Sequence, residues 1–252
     1  MAFKEVFKNP TVKQVVFQLA FPNFFGMESK IGDYQLRIMG RLPKSALLIQ
    51  NEIIIPINPN KDSKSENENR PRAKKIWQFK SQEEDVILNI SPDSLEVIST
   101  KHKTYNNDTS DAKFRDIISF LVGEFLNLIP LFLISKIGLR YIDDCPIPEK
   151  LTKETFLEYY NSFINFSNVN RLEEIDVLDF TLISRSDGLF LRHRETLQKK
   201  PDGVFKYSMD FDGQMNNIKA NTYLDQLDLI HQKIADLFQN VIKEPVIKIM
   251  NQ

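Results

Sequence analysis

The chain has 252 residues, with 34 acidic and 33 basic side chains, 42% hydrophobic and 27% charged. Such a balance describes a globular protein long enough for one large domain, and it removes the long-range field that a dedicated nucleic-acid binder relies on. A single cysteine excludes an internal disulfide or a multi-cysteine zinc site and suits a reducing cytoplasm.

The opening MAFKEVFKNP has charges where a signal peptide needs an apolar run. Val12 to Phe21 alternates apolar and polar residues and stops at Pro22, which predicts a strand. From Met27 to Leu42 the residues Ile31, Tyr34, Ile38 and Leu42 recur at helical spacing. ALLIQNEIIIPI is a β-branched run closed by Pro56 and predicts a strand. Asn58 to Arg72 contains no apolar residue except two prolines, so a mobile loop is expected there. KIWQFKS, DVILNIS and LEVISTKH are three short strands separated by turn formers.

Ser110 is a candidate N-cap for a helix to Ile129, with Phe114, Ile117, Ile118, Leu121, Phe125 and Leu128 on one face. The run Ile117 to Ile134 is long enough to span a membrane. Glu124, Asn127 and Pro130 interrupt it, so it reads as a buried helix followed by a buried strand. LFLISKIGLRYI is a long strand. TKETFLEYYNSFI has Phe156, Tyr159, Tyr160 and Phe163 at helical spacing behind a capping residue, Thr152. DFTLISRSDGLFLRHRETL predicts a hairpin turning at Asp187-Gly188, GVFKYSMDF adds a strand, and Thr222 to Ile242 closes as an amphipathic helix.

Both halves, about 12–129 and 131–243, thus run strand, helix, several antiparallel strands, long helix. This order is similar to the duplicated saddle of the TATA-box-binding protein fold. The expected class is α+β, one continuous body built from two pseudo-repeats. The phrases NPTVKQVVFQLAF, IWQFKS, KIGLRYID and DLIHQKIADLF, in that order, resemble a sporadically distributed family of uncharacterised bacterial and archaeal proteins of about 250 residues. Asp143 stands where that resemblance implies Asn. It implies no catalytic residues, and its patchy distribution implies accessory genes such as toxin-antitoxin or defence loci.

Four groups of residues carry chemistry worth weighing. In LRYIDDCPIP, strand alternation sends Asp143 and Asp144 to opposite faces, so they cannot form the converging carboxylate pair that acid-base hydrolysis requires. Arg140 is expected to meet an acid across the sheet. Cys145 has no base beside it to make a thiolate. In LFLRHRE, Arg192 and Arg194 share one face, where with Arg140 they offer a ligand site for phosphate or carboxylate; a surface face balanced by Glu195 and other acids is the plainer reading. Arg70, Arg72, Lys74 and Lys75 form the one basic cluster, a nucleic-acid contact expected to be weak and salt-sensitive. Asp228 and His231 sit three apart on the last helix, too few ligands for a metal among three histidines.

There is no phosphate loop, nucleophile elbow or dinucleotide fingerprint. The expectation is a non-enzymatic cytoplasmic interaction protein with a protein partner, no cofactor, no metal and no membrane span. A nucleic-acid-binding sheet face is the first alternative, and an arginine-lined enzyme or nucleotide-sensor site the second.

Overall fold

The computed structural model describes residues 7–52, 72–106, 113–167, 169 and 171–252. The loop expected at 58–72 lies outside these except for its last residue, and so does Ser110. Among the described residues, nine strands form one sheet in which every neighbouring pair is antiparallel. In chain order the elements are β1 (Val12–Ala20), α1 (Met27–Ile38), β2 (Lys44–Glu52), β3 (Arg72–Lys80), β4 (Val86–Ser91), β5 (Ser94–Ser99) and α2 (Phe114–Leu128). They continue with β6 (Leu133–Cys145), α3 (Lys153–Tyr159), β7 (Val177–Ser186), β8 (Leu189–Lys199), β9 (Phe205–Lys219), α4 (Tyr223–Val241) and α5 (Glu244–Met250). Across the sheet the order is β2-β3-β4-β5-β1-β6-β9-β8-β7, so β1 and β6 lie side by side near the centre.

Alternation along the strands separates two faces. Facing residues in successive pairs give a core row Phe79–Leu88–Val97–Phe17–Leu139–Gly213, and all but the last are buried apolar side chains. The helices cover this face. Tyr34 of α1 packs edge-on against Phe79 and Phe125, and its hydroxyl donates to the carbonyl of Leu121 in α2 at 2.8 Å. Buried Leu227, Ile230 and Ile234 lay one stripe of α4 on β6 and β9. Gly213 makes that approach possible: a Cβ there would sit 2.4 Å from Cγ2 of Ile230.

Local chemistry explains several element ends. Asp187 and Gly188, with φ of 52° and 79°, form the two positive-φ corners of the β7–β8 hairpin. Pro130 follows the end of α2, since proline has no N–H to continue it. The helix expected from Thr152 does not reach Phe163. Its cap forms as a reciprocal pair between Thr152 and Thr155, but the chain turns extended at Tyr160. There the Tyr160 hydroxyl donates to the carbonyl of Pro146 at 2.5 Å, and residues 162 and 163 are held by Glu195 of β8. Tertiary hydrogen bonds override the local periodicity. The short helix α5, begun by a proline in its first turn, was not expected from the periodicity at all.

Candidate functional site

The sheet face opposite the helices carries the predicted arginines. One row across it reads Lys80, Ile87, Ile98, Val16, Arg140, Asp212, Arg192, Ile183, each residue facing the next. A parallel row reads Ala46, Gln78, Asn89, Glu96, Gln18, Gly138, Gln214, Phe190. Within that row the Gln78 amide donates to Asn89 at 2.9 Å, and the Asn89 amide donates to Glu96 at 3.1 Å. One half of the face is therefore mainly amides and isolated aliphatic side chains, with Glu96 and Lys80 among them, and the other is ionic.

The ionic half is a lattice of three arginines and three aspartates. Arg140 grips Asp210 with two bonds of 2.7 Å, and that carboxylate holds the guanidinium above its ordinary pKa. Arg192 reaches Asp212 at 3.3 Å and Asp210 at 3.7 Å, and its buried Nε has no hydrogen-bond partner. Arg194 donates to Asp179 at 2.7 Å, lowering the pKa of that carboxyl while its own rises. The three predicted ligand residues are thus brought onto one face, and each is already answered by an aspartate. Glu195, expected to balance them, points to the core instead; Asp179, Asp210 and Asp212 take that role.

The basic cluster is split by strand alternation. Lys74 pairs with Asp93 at 2.9 Å, while Lys75 bonds Glu28 of α1 at 2.8 Å. Arg72 opens β3, and Arg70 lies outside the described residues.

Around LRYIDDCPIP the two aspartates diverge. Asp144 is exposed and meets Lys206 at 3.3 Å. Asp143 is buried and accepts a 2.7 Å bond from the Thr11 hydroxyl; burial raises its pKa to about 7 despite that bond. Cys145 is buried, which pushes its thiol well above the ordinary value. On α4, Asp228 accepts two bonds from Arg115, 2.8 and 2.9 Å, and one of 2.6 Å from Tyr105. His231 stacks on Tyr105 with ring centroids 4.0 Å apart and meets the Tyr141 hydroxyl at 3.2 Å. Among the described residues no group of three or more His, Cys, Asp or Glu side chains could hold a metal ion.

Two polar features had no local signal in the sequence. Glu195, fully buried, accepts from the hydroxyls of Ser162 and Tyr207 and from the backbone N–H of Phe163. Beside it His193, also fully buried, stacks on Phe211 at 4.5 Å; neither ring nitrogen makes a hydrogen bond, Nε2 lies 3.5 Å from Oε1 of Glu195, and burial lowers its pKa to about 4. Odd-numbered placement in β8 marks both residues for the core face, but only the register with β9 identifies that face. A cleft of about 250 Å³ lies between the end of α1 and the start of α2, lined by Arg41, Ser81, Asp85, Lys101, His102 and Asp116. Its cations are interleaved with carboxylates.

No protein-family model, curated protein or solved structure matches the chain. No helix among the described residues is long and apolar enough to cross a membrane.

Proposed function

We propose that the protein is a non-enzymatic cytoplasmic interaction module that docks a protein partner on the open face of its sheet. The observation that carries this reading is the one-for-one neutralisation of Arg140, Arg192 and Arg194 by Asp179, Asp210 and Asp212. A phosphate-binding site leaves its arginines unanswered until ligand arrives, and a nucleic-acid surface leaves net positive charge. This face does neither. Its amide row supplies donors and acceptors, and Val16, Ile87 and Ile98 supply scattered apolar contact, a mixture suited to a polar, wet protein interface. We further propose that the two halves are counterparts in a duplicated, saddle-like body. The support is the strand order: β1 is followed outward by β5, β4 and β3, as β6 is by β9, β8 and β7, with β2 an additional outer strand in the first half.

Pull-down from the native cells with the full chain tests the reading. The expected result is a specific protein retained after nuclease treatment. Capture should be lost with Ile98→Lys and with Arg140→Ala, both of which should keep the wild-type melting curve. Tight, sequence-selective binding of DNA or RNA at physiological salt, or turnover of a nucleotide, would overturn it.

A further inference from the structure

Among the described residues the outer edge of β2 lacks the usual protections of a sheet edge. Natural edges are shortened, bulged, interrupted by proline or studded with charge, because their open N–H and C=O groups recruit other strands. β2 is nine residues long, contains no proline, and pairs with β3 without a break from Lys44↔Lys80 to Glu52↔Arg72. Among the described residues no strand pairs with its other edge. At its centre Leu47, Leu48 and Ile49 are 53%, 42% and 63% exposed, on both faces of the sheet. The helix side of this patch is extended by Met39, half exposed one turn beyond Gln35, whose amide bonds Ser45 of β2 at 3.2 Å. The opposite edge, β7, carries exposed apolar residues too, but Asp179 and Arg185 stand among them.

We propose that a second copy of this chain docks there, pairing β2 with β2 antiparallel about a twofold axis at Leu48. Geometry narrows the register. Directly opposed residues in an antiparallel pair point to the same face, so a continuous sheet with all helices on one side requires that opposed residue numbers sum to an even value. Of those registers, only the sum 96 opposes the whole exposed triplet Leu47–Leu48–Ile49 to itself. It sets Leu47 against Ile49 on the helix face and Leu48 against its own copy on the open face. Registers two residues to either side set Leu48 against Ala46 or against Gln50. The exposed triplet Leu47–Leu48–Ile49 is complementary to itself in apolar pattern, which is what a twofold contact requires of one surface. The dimer would join two nine-stranded sheets and make their open faces contiguous.

Cysteine crosslinking of the full chain reads this register directly. Leu48→Cys places two thiols directly opposite each other, about 4.5–5.5 Å apart at Cβ, while Leu47→Cys leaves them diagonal, about 7–8 Å apart. Under mild oxidation Leu48→Cys should give a covalent dimer at least about tenfold faster than Leu47→Cys. The native Cys145 is buried and should not contribute. Light scattering should give the wild type twice the 29.4 kDa chain mass, and Leu48→Lys, which sets like charges on the axis, should give the single mass with the circular dichroism spectrum of the wild type. If Leu48→Lys fails to fold, the two cysteine variants decide. A wild type that stays at 29.4 kDa up to about 100 µM, or equal crosslinking by the two cysteines, overturns the proposal.

Discussion

Asp143 and His193 show how burial sets the pH response of single residues. Asp143 has its pKa raised to about 7 by burial, with the Thr11 bond and Lys103 opposing and Asp210 adding to the rise. An unfolded aspartate titrates near 3.9, so between about pH 4 and 7 the folded state binds the extra proton. The stability that proton confers is fully present below about pH 4 and is lost as pH rises through 7. His193 and His231 act in the opposite sense. Burial lowers both to about 4, so their contribution is present above the ordinary histidine value of about 6.5 and is lost as pH falls through 4. Asp143→Asn keeps an oxygen for the Thr11 hydroxyl and removes the buried charge. Thermal melts should place it above wild type at pH 8, by about 2–4 °C for each kcal/mol gained, with the gap closing toward pH 4. A gap that widens on acidification would contradict the assignment.

At the scale of elements, two contacts decide the shape of the second half of the chain. Glu195 anchors the irregular segment after α3 through two bonds, from the Ser162 hydroxyl and the Phe163 N–H, and a third bond ties it to Tyr207 of β9. Glu195→Ala leaves buried Tyr207 without its acceptor and releases residues 162–163, for an expected loss of about 3 kcal/mol in denaturant titration. Amide exchange should accelerate first around Phe163 and Ile164. Gly213 is needed for a different reason, since Ile230 occupies the space of its missing Cβ. Because the obstruction is a branched side chain on a packed helix, Gly213→Ala should cost about 1–3 kcal/mol and leave Gly138→Ala, whose nearest neighbour is at 3.6 Å, close to neutral. Equal losses at the two glycines would show that close approach of α4 is not the cause. The periodicity of α1, α2 and α4 was legible because each buries one continuous stripe. The end of α3 was not, because Phe156, Tyr159, Tyr160 and Phe163 keep helical spacing while the acceptor that pulls the chain straight lies 32 residues further along.

For the whole molecule, near-neutral net charge is reproduced locally on the open face, and that balance is testable. Asp210→Asn with Asp212→Asn leaves Arg140 and Arg192 uncompensated. The double variant should be retained on heparin at low salt and elute as salt rises, whereas the wild type should pass through. Retention of both proteins alike would mean that the face is not neutral in solution.

The sequence alone determined the α+β class, the antiparallel pairing with its Asp187-Gly188 turn, the opposed directions of Asp143 and Asp144, and the shared face of Arg192 and Arg194. Each follows from periods of two or 3.6 residues that operate within a few neighbours. Only the tertiary structure decided which acids answer the arginines, that Glu195 and His193 belong to the core, and that the positive residues at 74 and 75 go to separate partners. Those outcomes depend on register between strands far apart in the chain: Arg140 meets Asp210 across 70 residues, a relation that no local pattern encodes. Alternation tells a strand which residues share a face; only packing against the helices decides which face is buried.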